Sequence, residues 1–280
     1  LPAIALAGLV AMCNGLNSAQ LAANYPVSGG TYEYGHRWLN PSLGFVAGWM
    51  FLCAKSASAA TAALGFALYL APDHQIPVAL GTVALTTSIT LTGMQRSNTV
   101  NALIVGAVLL ALLAFVVLGA PAIGAHPERW QTTLQPGQFG QLLPTAALMF
   151  VAFTGYGRIA TLGEEVTEPR RTIPRAVLTT LILSMLLYIG VAWVSLANAE
   201  NEIGSLANLA EEFSGSTLGK VMLVAAAIAM VSVLLNLVLG LSRVVLAMGR
   251  RGDLPQATAH IRLTSSVPTV ATVIVGVLIA

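Results

Sequence analysis

Long apolar stretches alternate with short polar ones along this chain, at about 3–22, 43–71, 76–94, 99–123, 143–163, 175–198, 219–248 and 264–280. Hydrocarbon about 30 Å thick needs roughly 20 apolar residues as helix, so each stretch predicts a membrane-spanning helix. Period-two alternation over ten-residue segments is missing, which argues against an outer-membrane barrel. Some connections are short, such as Pro72-Asp73-His74-Gln75 and Gln95-Arg96-Ser97-Asn98; longer ones occupy 24–42, 124–142, 164–174, 199–218 and 249–263. The connection at 199–218 carries Ile203, Leu206, Leu209 and Phe213, enough for a short amphipathic helix on the outer surface. No low-complexity linker intervenes, and residues 1–280 read as a single transmembrane domain.

Composition agrees with the pattern. Only 9% of residues are charged and the mean hydropathy is +0.80, whereas a soluble domain carries roughly 25% charged residues. A net charge of +2 gives no footprint for nucleic acid. Cys13 and Cys53 sit inside apolar runs, and no metal or disulfide pattern is present. The chain starts at Leu1 within one apolar run and stops at Ala280 within another, which reads as a piece of a longer protein.

Basic residues set the expected orientation. Arg37, Arg96, Arg170, Arg171, Arg175, Arg250, Arg251 and Arg262 follow the first, third, fifth and seventh stretches, while the alternate connections carry only Arg129 and Lys220. By the positive-inside rule the first set is cytoplasmic, with Asp73, Glu128, Glu200, Glu202, Glu211 and Glu212 on the other side. An integral protein of the plasma (inner) membrane is expected.

Three segments at the arginine-bearing ends carry a further pattern. The first runs Tyr25-Pro26-Val27-Ser28-Gly29-Gly30-Thr31-Tyr32-Glu33-Tyr34, with Gly44-Phe45-Val46-Ala47-Gly48-Trp49 after it. The second runs Phe153-Thr154-Gly155-Tyr156 and then Gly163-Glu164-Glu165-Val166-Thr167-Glu168-Pro169-Arg170-Arg171-Thr172-Ile173-Pro174-Arg175. The third runs from Ser242-Arg243 through Met248-Gly249-Arg250-Arg251-Gly252-Asp253-Leu254-Pro255. In this order and spacing they resemble the amino acid permeases of the amino acid–polyamine–organocation superfamily, across nearly the whole chain. The resemblance implies an all-α polytopic inverted-repeat transporter fold, with this chain matching the family's second to ninth helices. The first helix and those after the ninth would be missing. It further implies a substrate held between broken first and sixth helices, the sixth being the stretch at 143–163 here.

That stretch holds the first candidate site. Gly155 and Gly157 interrupt it beside Phe153, Thr154 and Tyr156, where a continuous helix gains little. Such a break can present backbone groups to the charged ends of a substrate; alternatively, the glycines serve close helix packing. The resemblance favours the break and makes 153–157 substrate-binding. Many members carry Glu where this chain has Gly157, so a coupling carboxylate is missing here. Arg158, beside the break, is a candidate gate residue.

Lys55 lies twelve residues into the stretch beginning at Leu43, about 18 Å along a helix. A Lys at that depth costs on the order of 3 kcal/mol and usually faces a polar cavity. It is a candidate for substrate binding and proton coupling, against the alternative of a Lys capped by helix carbonyls. Ser232 and Asn236 stand one turn apart on one face. They read as an interhelical hydrogen-bonding pair, with Asn236 as a substrate-side residue and Ser232 as a coupling one. Leu237 stands near the place where some members stack an aromatic ring on substrate. Glu164, Glu165, Glu168, Arg170, Arg171 and Arg175 are expected to network with Arg243, Arg250 and Arg251 at a cytoplasmic gate. His36, His74, His126 and His260 have no metal-ligand spacing and receive no role.

These residues predict a secondary active transporter for amino acids or related amines, working by alternating access with a proton or counter-substrate, and needing no cofactor. A sodium symporter of the same fold and a transporter-like nutrient sensor are the alternatives. An intramembrane enzyme would need paired carboxylates, a His-Glu cluster or a Ser-His pair at membrane depth, and the apolar stretches contain none. A channel would need a filter loop or a charged ring, which is equally missing.

Overall fold

The computed structural model describes residues 1–131, 139–161, 163–198, 205–261 and 267–280. Glu200, Glu202, Ile203, Arg262 and the start of the last stretch at 264–266 lie outside the described residues, as do the side chains of Arg96 and Glu165. Among the described residues the structure is helical, with no strand. Six helical stretches are long and apolar enough to cross a membrane: Pro2–Asn24, Pro41–Leu70, Ser97–Ala125, Gly140–Ile159, Pro169–Asn198 and Ser216–Arg251.

In chain order the helices are α1 (Pro2–Asn24), α2 (Thr31–Trp38), α3 (Pro41–Leu70), α4 (Gln75–Leu91), α5 (Met94–Gly119), α6 (Pro121–Ala125) and α7 (Pro127–Gln131). Then follow α8 (Phe139–Phe150), α9 (Gly157–Thr161), α10 (Pro169–Asn198), α11 (Leu206–Ser214), α12 (Ser216–Arg251) and α13 (Thr269–Ile279). The chain forms two compact units. One comprises residues 1–17, 107–156 and 175–226, the other 18–106, 157–174 and 227–280.

The first unit is built on Ala111 and Phe115 of α5, Val194 of α10, Leu209 and Ala210 of α11, and Leu218, Met222 and Ala225 of α12. Phe213 of α11 meets Phe115 edge-on at 5.3 Å between ring centres. The helix expected in the 199–218 connection therefore exists, and Leu209 and Phe213 pack into protein. Ser205 caps its start by accepting a hydrogen bond from the Asn208 N–H at 3.2 Å.

The second unit packs an alanine ladder, Ala59, Ala63 and Ala67 of α3, against Leu234, Val238 and Leu241 of α12 and against α4 and α13. Small residues four apart let helix backbones approach closely where lipid gives no hydrophobic drive. In α4 the hydroxyls of Thr82, Thr86 and Thr90 each donate to the carbonyl four residues earlier, at 2.7, 2.9 and 2.9 Å. These buried polar side chains thus satisfy themselves within their own helix.

The polar connection at 24–42 contains a helix that hydropathy does not announce. α2 is eight residues long, too short and polar to register as an apolar run. Its place is set by glycine: a Cβ at Gly48 would come within 2.6 Å of the Tyr32 ring. Tyr32 consequently lies flat on α3 and is fully buried. α3 starts cleanly because the Asn40 Oδ1 accepts from the Leu43 N–H at 2.7 Å and Pro41 occupies the first helical position.

α12 ends in a paired-carbonyl cap. The Gly252 N–H bonds the Gly249 carbonyl at 3.2 Å and the Asp253 N–H bonds the Met248 carbonyl at 3.0 Å, with Gly252 at φ 85°. Only glycine takes that left-handed backbone without cost, and the reversal aims Asp253 back toward α2. Gly252→Ala is expected to cost about 1–2 kcal/mol and to lower the apparent Tm of the purified protein, with Gly252→Asn losing less. Fluorescence-detected thermal stability in detergent measures the difference.

Candidate functional site

The interruption foreseen near Gly155 is present in a particular form. α8 ends at Phe150, Val151–Tyr156 form a 3₁₀ segment, and α9 begins at Gly157. A 3₁₀ segment keeps i→i+3 pairing, so the backbone here is tightened, where an unwound one was expected. The Thr154 Oγ1 donates to the Val151 carbonyl at 2.9 Å. Phe153 is buried and meets Tyr188 edge-on at 5.1 Å, while the Tyr188 hydroxyl donates to the Ala152 carbonyl at 3.1 Å. Within the first unit, then, α10 holds the 3₁₀ segment by one ring and one hydrogen bond. Tyr156 is half-buried and packs near Gly15 of α1.

The glycines do not serve close packing. A Cβ at Gly155 would meet nothing within 4 Å, and one at Gly157 would meet only the Phe51 ring, at 4.0 Å. Gly155 is exposed and Gly157 partly so.

In the second unit a polar chain crosses the helices. The Arg158 Nη1 donates to the Asn236 Oδ1. The Asn236 Nδ2 and the Ser232 Oγ both donate to the Asn101 Oδ1, each at 2.7 Å. Arg158 comes from α9, Ser232 and Asn236 from α12, and Asn101 from α5. Three of these were expected to matter; Asn101 was not. Its signal was a lone carboxamide entering an apolar helix.

Lys55 is half-buried on α3, on the stripe shared with Leu52 and Ala59. It stands one turn beyond Phe51, the residue that meets Gly157.

The arginine-bearing end of α12 gathers all three motif segments. Arg251 grips Glu33 of α2 with two parallel bonds, Nε to Oε1 at 2.9 Å and Nη2 to Oε2 at 2.6 Å. Arg250 donates to both oxygens of Glu164, at 2.8 and 3.1 Å, and the Ser28 N–H donates to the Glu164 Oε1 at 3.0 Å. The Tyr32 hydroxyl donates to the Asp253 Oδ2 at 2.6 Å, and the His36 Nε2 stands 3.4 Å from that same oxygen. Burial, and then Asp253, push the Tyr32 hydroxyl far above its ordinary value. The expected network pairs Glu164 with Arg250. Arg251, however, takes Glu33, which was not foreseen, and Arg170 and Arg171 are exposed. His36 joins this cluster although its spacing suggested no role.

The amino acid permease family profile matches residues 1–280. The chain belongs to that family. Among its relatives, an uncharacterised transporter of Mycobacterium tuberculosis is 38% identical over 99% of this chain and 64% of its own length. A branched-chain amino acid permease of Bacillus subtilis is 24% identical over 98% of the chain and 65% of its own length. A methylthioribose transporter of the same bacterium is 26% identical, again over 98% and 65%. The chain thus spans a little under two thirds of the length of these three relatives. As a permease-family protein with six long apolar helical stretches, it is an integral membrane protein.

The motif segments are in large part fittings of one end of the second unit. Glu164 has a lowered pKa: burial raises it, but the Ser28 N–H and Arg250 outweigh burial. A depressed carboxylate pKa contributes stability that is fully present above the ordinary carboxylate value and is lost as pH falls through the lowered one. Glu164→Gln is therefore expected to destabilise the protein near neutral pH. The gap to the unchanged protein should close on acidification below the ordinary carboxylate range, in thermal stability measured across that range.

Proposed function

We propose that the intact protein is a secondary active transporter, moving amino acids or related amines across the plasma (inner) membrane by alternating access. The observation that carries this reading is the 3₁₀ interruption at Val151–Tyr156, with Gly155 exposed beside it, in a chain of the amino acid permease family. Irregular backbone at membrane depth is tolerated where it lines a cavity or is buried in protein, and in transporters such breaks hold substrate. Phe153 to Gly157 supply the break itself, Asn236 a polar contact, and Arg158 and Ser232 the gate and coupling groups. Phe153 acts through its packing on Tyr188, so it shapes the break more than it touches substrate.

Coupling is to protons or to a counter-substrate. Lys55 is the group proposed to carry it, because an ionisable side chain at this depth is costly and usually faces a polar cavity. The arginine-bearing end of α12 faces the cytoplasm, which places the Glu33–Arg251 and Glu164–Arg250 pairs at the inner gate.

The test is uptake of radiolabelled amino acids by the intact protein in liposomes, with pH and sodium gradients imposed separately. Accumulation driven by the pH gradient or by internal amino acid is expected; dependence on sodium would replace the coupling proposed here. Binding without flux would make the protein a sensor. Lys55→Gln is expected to lower uptake about tenfold, roughly 1.4 kcal/mol, and to flatten its pH profile. An unchanged profile removes Lys55 from the coupling step.

A further inference from the structure

We propose that Asn101 is the positioning residue for Arg158: it fixes which way the hydrogen-bond chain from Arg158 through Asn236 runs, and so holds the guanidinium along α12. This deepens the transport reading above and rests on it, since Arg158 is a gate residue there.

Arg158 lies along one stripe of α12. Ser232, Asn236 and Gly240 follow one another at helical spacing and share a face. A Cβ at Gly240 would stand 3.5 Å from the Arg158 Cγ, and the Arg158 Nη1 donates to the Asn236 Oδ1 one turn earlier. The stem of the arginine thus rests at Gly240 and its head at Asn236. Asn101 reaches the rest of the stripe from α5, where its Oδ1 accepts from the Asn236 Nδ2 and from the Ser232 Oγ, each at 2.7 Å. All five residues belong to the second unit. Further along α12, Arg250 holds Glu164, fourteen residues beyond Asn236 or about 21 Å. The inner part of the broken helix is therefore fastened to α12 at two depths, and Asn101 acts on the deeper one.

The chain can run in one direction only. A guanidinium has donors and no acceptor, so Asn236 must show it an oxygen. The Asn236 amide nitrogen then faces Asn101, which must answer with its own oxygen. The Ser232 hydroxyl is able to donate or to accept; sharing that oxygen, it donates. A carboxamide turned over would present its NH2 to the guanidinium, and two donors facing each other in hydrocarbon have no water to turn to. The acceptor at Asn101 is what keeps Asn236 oxygen-forward. The claim concerns this one bond and stands whatever else the guanidinium meets.

The experiment has two arms, both on the intact protein. In detergent, the apparent Tm is measured for Asn101→Leu, for Arg158→Met and for the two together. The double variant is expected to fall short of the summed shifts by about 2 °C, and this overlap is expected to vanish when every member also carries Asn236→Leu. In liposomes, the probe is whichever of radiolabelled alanine, leucine, glutamate and arginine the unchanged protein takes up best. Asn101→Leu is expected to lower the maximal rate per folded protein about fivefold with apparent KM within about twofold. Asn101→Asp, which offers an acceptor of the same size, is expected to restore the rate. Asn101→Ala replaces Asn101→Leu in both arms if the latter does not fold. Additive Tm shifts overturn the proposal, as does an Asn101→Asp variant as slow as Asn101→Leu. A raised KM at unchanged maximal rate overturns it too, because Asn101 would then be a substrate contact. No uptake by the unchanged protein overturns the transport reading alone, and the melting arm then decides the role of Asn101.

Discussion

Hydrocarbon gives a polar group no partner except the protein itself. Nearly every detail of this structure follows from that constraint. Backbone groups pair within helices, and where α8 gives way at Val151 the chain turns to 3₁₀ pairing and does not fall open. Buried threonines of α4 return their hydroxyls to their own helix. Side chains that cannot do this find each other across helices: Ser232 and Asn236 meet at Asn101, and Arg158 joins through Asn236. Interhelical bonds of this kind contribute only about 0.6 kcal/mol each on average. Their larger effect is on geometry, since they fix α5, α9 and α12 in one register around a charged group.

The end where the arginines collect obeys a different balance. Water is available there, so isolated ion pairs would contribute little. The pairs at this end are not isolated. Arg250 and Arg251 are consecutive, yet they reach two acids on different segments, Glu164 after α9 and Glu33 in α2. Glu164 also accepts from the Ser28 N–H, so one carboxylate ties the start of α2 to the segment that follows the broken helix. A displacement of α9 along its axis would have to break that tie or move α2 with it. The cluster thus couples α2, the segment after α9 and the end of α12, and the glycine cap at Gly252 keeps Asp253 turned toward Tyr32.

The all-helical membrane class was legible because apolar length leaves few other solutions at 9% charge. The family was legible because three segments carry their pattern in order. What escaped was whatever depends on pairing at long sequence separation. Glu33 and Arg251 lie 218 residues apart, and nothing local in either says that they meet. α2 escaped because eight residues with little apolar content give no hydropathy signal. The break at 151–156 was foreseen from glycine, but glycine cannot tell unwound backbone from 3₁₀ backbone, as both relax the helix there. Asn101 escaped because a single carboxamide in an apolar run has many ordinary explanations. Its oxygen accepts two hydrogen bonds only once the fold brings Ser232 and Asn236 to it.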